Sequence, residues 1–138
     1  MKTKFHVKER VYDNEEIHKY EYAFYMKMGN VKTEISSEKY YKLMNLTKKL
    51  LNKPYYPTDN NIVVFGSDAC SYCIKTKNLL KKKKKKFIYC TFSSINNNVK
   101  SILDDFLKII TNDYKYIPII FHNGVFIEDG YNNLVNVI

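Results

Sequence analysis

The feature that most constrains the fold is a short apolar run that ends at a glycine and leads into a Cys-x-x-Cys motif. Residues 62–65 are Ile-Val-Val-Phe, followed by Gly66, a pattern typical of a strand that is buried on both faces. Cys70 and Cys73 follow, and the apolar residues of segment 71–86 recur at helical spacing. The sequence therefore predicts a strand, a thiol pair and a helix, in that order.

The rest of the C-terminal part also alternates between strand and helix patterns. Asn123-Gly124 is a strong signal for a tight hairpin, and Asn96 opens an Asn cluster able to cap a helix. The predicted elements are a strand at 87–92, a helix over apolar positions 99–110, hairpin strands at 116–121 and 125–127, and a helix at 131–138. This order predicts an α/β domain built on one sheet.

The N-terminal part has a different pattern and ends at a polar, proline-containing linker around residues 53–59. Alternation at 5–11 and 20–28 predicts strands, and Gly29-Asn30 is expected to turn the chain into a further strand. Apolar residues then take helical spacing from Ser37 onward. We predict a small α+β extension at residues 1–57, of unknown role, and a second domain at 58–138. The tyrosines and methionines of the extension are expected to pack in a core, with a partner surface as the alternative.

Composition excludes several classes of function. The 138 residues carry a net charge of +9, yet Arg10 is the only arginine among the basic residues, and bidentate recognition of phosphates or bases depends on arginine. We therefore expect no nucleic-acid partner and interpret the lysine run 81–86 as a solvated helix end. Neither a bilayer-spanning stretch nor a secretory signal is readable. We expect a cytoplasmic protein without a membrane partner, and a monomer in preference to an oligomer.

The spacing of Cys70 and Cys73 suits thiol-disulfide exchange. An ordinary cysteine is mostly protonated at pH 7 because its pKa is about 8.5, so an attacking thiol needs a stabilised anion. At the N-cap of the predicted helix, Cys70 would meet unpaired N–H groups and the positive end of the helix dipole. Lys75 and Lys77 add positive charge. Cys73 lies nearly one turn later, which predicts Cys70 as the exposed nucleophile and Cys73 as the inward resolving thiol.

A zinc site is the structural alternative for the cysteines. It would combine the pair with Cys90 and a histidine, but the strand-helix context disfavours it and we predict no metal ligands. Cys90 lies in a predicted strand and is interpreted as a small buried apolar residue. The three histidines are scattered and receive no role.

Three segments carry a family resemblance: Val63-Val64-Phe65-Gly66-Ser67-Asp68-Ala69-Cys70-Ser71-Tyr72-Cys73, Tyr116-Ile117-Pro118 and Gly130-Tyr131-Asn132. Together they resemble the glutaredoxin family of the thioredoxin superfamily, and the resemblance covers roughly residues 60–138. It implies a four-stranded mixed sheet with flanking helices. It also implies a glutathione-dependent oxidoreductase that reduces protein disulfides or glutathione mixed disulfides, with glutathione as its reductant.

The resemblance also assigns binding residues. Pro118 would be a cis-proline beside the cysteines, and Ile117 would offer its backbone to the cysteinyl part of glutathione. Gly130, Tyr131 and Asn132 would hold the γ-glutamyl end, and Tyr72 completes the implied glutathione-binding set.

Three departures from the family pattern affect the expected glutathione binding and leave two alternative functions. Ser67 stands where the family usually has a lysine, which leaves Lys75 or Lys115 to meet a glutathione carboxylate. Asn132 replaces an aspartate. Ser71 replaces a proline, and relatives with this motif include carriers that bridge an iron-sulfur cluster between two subunits. The alternatives are therefore an iron-sulfur scaffold and a non-enzymatic adaptor.

Overall fold

The structure, a computed structural model, describes residues 4–11, 20–28 and 31–138, with side chains from residue 23 onward. Seven strands and four α-helices occur in these ranges. In chain order they are β1 (Lys4–Val11), β2 (Tyr20–Met28), β3 (Val31–Ile35), α1 (Ser37–Leu50), β4 (Ile62–Gly66), α2 (Ser71–Lys82), β5 (Ile88–Thr91), α3 (Asn97–Ile110), β6 (Ile119–His122), β7 (Val125–Ile127) and α4 (Tyr131–Leu134). A 3-10 turn, Phe92–Ser94, follows β5.

The N-terminal strands form one antiparallel sheet in the order β1-β2-β3, as the alternating pattern predicts. Met26 is buried on this sheet, and Phe24 and Met28 are half-buried. The predicted turn at Gly29-Asn30 and the side chains before residue 23 lie outside the described residues.

Helix α1 begins where the sequence predicts, because Ser36 caps it. The Ser36 hydroxyl accepts a hydrogen bond of 3.2 Å from the Lys39 amide, which satisfies one of the unpaired N–H groups of the first turn. Its apolar face packs on α3 and shares one core with it. Tyr56 of the linker adds to this core and lies 5.7 Å from Phe106, ring to ring. The division of the chain at residue 57 stays a prediction.

The second sheet has four strands in the order β5-β4-β6-β7, with β4 parallel to β5 and antiparallel to β6. This is the predicted mixed sheet. Strand β4 is buried on both faces: Ile62 and Val64 contact the side that holds Leu80 and Leu134, whereas Val63 and Phe65 face the core under α1 and α3. The sheet thus separates α2 and α4 from α1 and α3.

The hairpin and the α3 cap also follow the sequence prediction. Asn123 and Gly124 both have positive φ, 50° and 82°, the conformation that Asn-Gly favours in a two-residue turn. The Asn96 side chain accepts a hydrogen bond of 3.0 Å from the Asn98 amide.

Three predicted boundaries are wrong. Helix α2 ends at Lys82 rather than Lys86, because no buried apolar residue follows Leu80 in the lysine run and Lys84 turns to a φ of 55°. Most of the lysine run therefore lies beyond the helix. The hairpin's first strand begins only at Ile119, since Pro118 has no N–H to donate. The last helix ends at Leu134, its only buried residue.

None of the helices in the described ranges is long and apolar enough to cross a membrane.

Candidate active site

Cys70 is the N-cap residue of α2, as predicted. Its backbone is extended, with φ of −90° and ψ of 121°, and its amide donates to the Ser67 carbonyl at 3.2 Å in the turn that precedes the helix. Its sulfur accepts a hydrogen bond of 3.2 Å from the Cys73 amide. Cys70 is half-buried, so the sulfur lies at the helix N-terminus, where the unpaired N–H groups and the dipole favour negative charge.

Cys73 lies one turn further into α2 and is fully buried. It fits there because the facing residue, Gly66 at the end of β4, has no side chain: a Cβ on Gly66 would lie 2.6 Å from the Cys73 sulfur. Burial raises the pKa of the Cys73 thiol to about 11, and a hydrogen bond with Cys70 acts in the same direction. At neutral pH Cys73 is therefore a protonated thiol in the resting protein.

The peptide bond between Ile117 and Pro118 is cis, which confirms the expected isomer. The Cys70 thiol is within hydrogen-bonding range of the Ile117 carbonyl, with 3.9 Å between sulfur and oxygen. Pro118 is buried, while Ile117 is exposed. The segment before β6 therefore forms a wall opposite the nucleophile candidate.

A cleft of about 440 Å³ opens beside this wall. All six residues to which the resemblance assigns glutathione contacts lie around it: Tyr72, Ile117, Pro118, Gly130, Tyr131 and Asn132. The fold thus brings together three segments that are separated by up to about sixty residues in the sequence. No ligand-binding role follows from this proximity alone, so the assignment of contacts stays a prediction.

Three further residues, to which the sequence assigned no site role, also line the cleft: Tyr114, Tyr116 and Asp129. The Tyr114 ring contacts those of Tyr116 and Phe126, with centroids 5.6 Å and 5.1 Å apart. The available signal was the Tyr-Lys-Tyr sequence directly before Ile117. With Tyr72 and Tyr131, the cleft carries four tyrosine rings.

A basic group lies at the cleft margin. Lys75 Nζ is 4.9 Å from the centroid of the Tyr72 ring, in cation-π range. Of the two candidates to replace the lysine missing at Ser67, Lys75 is thus held against a cleft residue. Lys115 is exposed.

Cys90 does not join the other two cysteines. Successive residues of a strand point to opposite faces, and Cys90 packs in the α1/α3 core, whereas Tyr89 packs on the α2 side of the sheet. Cys90 is buried, as interpreted from the sequence. Among the residues that the structure describes, no group of three or more His, Cys, Asp or Glu side chains could hold a metal ion.

Comparison with protein families matches residues 62–127 to the glutaredoxin model. This range contains both cysteines of the motif and the cis-proline, and it ends before Gly130, Tyr131 and Asn132. No curated protein matches the chain.

Proposed function

Residues 62–127 form a domain of the glutaredoxin family, and from this premise we propose that the protein is a glutathione-dependent thiol-disulfide oxidoreductase. The observation that supports the proposal best is the hydrogen bond from the Cys73 amide to the Cys70 sulfur. This bond and the helix dipole place positive partial charge at the Cys70 sulfur, which is the environment that attack on a disulfide calls for. The cis-proline wall and the cleft leave room for a disulfide substrate next to that sulfur.

The proposed first step is attack by the Cys70 thiolate on the glutathione sulfur of a glutathionylated protein. The bond from Cys70 to that sulfur forms, the original disulfide bond breaks, and the protein substrate leaves as a thiolate that takes up a proton. A second glutathione, as thiolate, then attacks the same glutathione sulfur. Reduced Cys70 and glutathione disulfide result, so the two electrons come from glutathione.

Protein disulfides take a second route through Cys73. Here Cys70 forms a mixed disulfide with one substrate cysteine, and Cys73 attacks the Cys70 sulfur to release the substrate and leave a disulfide within α2. Cys73 is separated from Cys70 by about one helical turn, so it reaches that sulfur without unfolding the helix.

The proposal is tested with two substrates, a small glutathione mixed disulfide and a protein disulfide, each with glutathione as reductant. Cys70→Ser should lower both activities to background. Cys73→Ser should keep the first activity, because glutathione resolves that intermediate, and lose most of the second. Cys90→Ala is the matched control and should keep both, since Cys90 lies on the other face of the sheet. Activity retained by Cys70→Ser would overturn the mechanism.

Two alternatives give different results in the same preparations. A cluster scaffold would show visible absorbance after anaerobic purification. Such a cluster would take only Cys70 from each chain, because Cys73 and Cys90 are buried, and its other ligands would come from glutathione and a second copy. An adaptor would show no activity with either substrate.

We place the active protein in the cytoplasm, where glutathione is reduced.

A further inference from the structure

Tyr89 lies directly beside the resolving cysteine. It is held in β5 by pairing with Val64 of β4, and its ring packs on the α2 side of the sheet. Lys77 of α2 lies over the ring, with Nζ 4.3 Å from its centroid. The phenol is thus fixed from both sides and points toward the end of β4.

Gly66 provides the space in which Tyr89 and Cys73 meet. A Cβ placed on Gly66 would lie 2.6 Å from the Cys73 sulfur and 3.0 Å from the Tyr89 hydroxyl oxygen. The two atoms therefore border the same small volume at the end of the strand. The Tyr89 hydroxyl also donates a hydrogen bond of 3.2 Å to the Ser67 carbonyl, in the turn that leads to Cys70.

The surroundings of Cys73 oppose its ionisation overall, but two groups favour the thiolate. A hydrogen bond from the Ser67 backbone, or from the Tyr89 hydroxyl if it turns to the sulfur, lowers the pKa of Cys73, against the larger effect of burial. Burial raises the pKa of Tyr89 to about 12, so this phenol keeps its proton at physiological pH and remains a donor.

We propose that Tyr89 is a positioning residue for the second half of the reaction: its hydroxyl turns from the Ser67 carbonyl to the Cys73 sulfur and stabilises the thiolate that resolves the mixed disulfide. This inference rests on the proposed function. A phenol carries one proton to donate, and a hydrogen bond to an anion is about twice as strong as one to a neutral carbonyl. The hydroxyl therefore changes acceptor when Cys73 ionises.

The step balances without a further reactant. Cys73 loses its proton, the bond between the Cys73 and Cys70 sulfurs forms, and the bond from Cys70 to the substrate sulfur breaks. The leaving thiolate takes up a proton. The two cysteines are oxidised to a disulfide and the substrate sulfur is reduced to a thiol.

The test uses the aromatic disulfide 5,5′-dithiobis(2-nitrobenzoate) with the full chain and no glutathione. Attack by Cys70 releases one coloured thiolate in a phase that depends on reagent concentration. Attack by Cys73 on the resulting mixed disulfide releases a second coloured thiolate, in a phase whose rate does not depend on reagent concentration. Cys73→Ser identifies this second phase by its loss. Tyr89→Phe removes only the hydroxyl, and Tyr55→Phe is the matched control, since Tyr55 packs on Phe65 at 5.9 Å in the core on the opposite face.

In Tyr89→Phe the second phase should slow by about three- to tenfold between pH 7 and 9. The loss of one hydrogen bond to a charged group lowers the thiolate population, and the higher nucleophilicity of the more basic thiolate offsets part of the loss. The first phase should not change. The reduction potential at pH 7 should also stay the same, because Cys73 is a neutral thiol in the reduced protein. Replacing Tyr89 with 3-fluorotyrosine, a more acidic donor, should keep the second phase at least as fast as in the wild type.

Four results would overturn the inference. The first is an unchanged second phase in Tyr89→Phe. The second is equal slowing of both phases together with a shifted potential, which would indicate a structural role. The third is a 3-fluorotyrosine protein as slow as Tyr89→Phe. The fourth is a wild-type protein that releases no second thiolate, which would overturn the Cys73 route of the proposed function as well, whereas the first three leave that route standing.

Discussion

The backbone amide of Cys73 donates a hydrogen bond of 3.2 Å to the sulfur of Cys70. The two cysteines are therefore in unequal environments although they are three residues apart. Cys70 is half-buried at the N-terminus of α2, and Cys73 is buried between α2 and the sheet. This inequality supports the roles proposed for them, since an accessible sulfur at a helix N-terminus suits attack and a buried protonated thiol suits resolution.

Gly66→Ala should destabilise the protein by about 1 to 3 kcal/mol, as overpacking of a closely packed site does. The added Cβ would lie 2.6 Å from the Cys73 sulfur, a contact that requires the helix or the strand to shift. Urea unfolding measures the loss. In a Cys73→Ala background the same substitution should cost less, because the contacted sulfur is gone. An equal cost in both backgrounds would show that another contact is responsible.

Much of the fold of residues 62–138 follows from local sequence signals. The apolar run of β4, the cap of α3 at Asn96 and the turn at Asn123-Gly124 each depend on neighbouring residues, so the sequence alone predicts them. The end of α2 is different. All six lysines of the run suit a helix by propensity, yet the helix stops at Lys82, where burial of its apolar face stops.

The missed residues of the candidate site depend on pairings between distant segments. Tyr89 reaches Cys73 only because β5 pairs with β4 in a register that places Tyr89 beside Val64. Tyr114 reaches the cleft because the chain returns through β6 and β7, where it contacts Phe126. The cysteine motif and the Ile117-Pro118 dipeptide could be predicted since a family pattern marks both.

Gly130→Ala should destabilise the protein by about 1 to 3 kcal/mol, because Gly130 combines a φ of 52° with a ψ of −119°, a sparsely populated backbone conformation that residues with a Cβ rarely adopt. A Cβ there would also lie 3.1 Å from the Pro118 carbonyl oxygen. Asp129 has a φ of 58°, so Asp129→Gly is the converse variant and should stabilise. Thermal unfolding of both variants measures the effects. Destabilisation by both would contradict the strain argument.

Asn132→Asp should lower the KM for glutathione by up to about fivefold, the range of an exposed ion pair. The variant places a carboxylate at the cleft, where the family resemblance puts the amino group of glutathione. Asn136→Asp is the matched control, because Asn136 is exposed and does not line the cleft. Steady-state kinetics at varied glutathione measures KM. A KM that falls equally in both variants would indicate a general charge effect instead of a contact.

Acid should destabilise the protein through His122. Burial lowers the pKa of His122, and Lys85 lowers it further by charge repulsion. The folded state therefore favours the neutral imidazole. The contribution of His122 to stability is fully present above about pH 6.5, the ordinary pKa of histidine. It is lost as the pH falls below that value. Lys85→Gln should raise the His122 pKa and reduce this loss, although burial, the larger cause, remains.

Lys86→Gln is the matched control for Lys85→Gln, because it removes the same charge one residue away in the same exposed segment. NMR titration of the His122 imidazole gives its pKa in each variant, and urea unfolding between pH 5 and 8 gives the stability. The expected result is a higher His122 pKa in Lys85→Gln than in Lys86→Gln. Equal shifts would mean that the net charge of the lysine run, rather than Lys85 itself, acts on the imidazole.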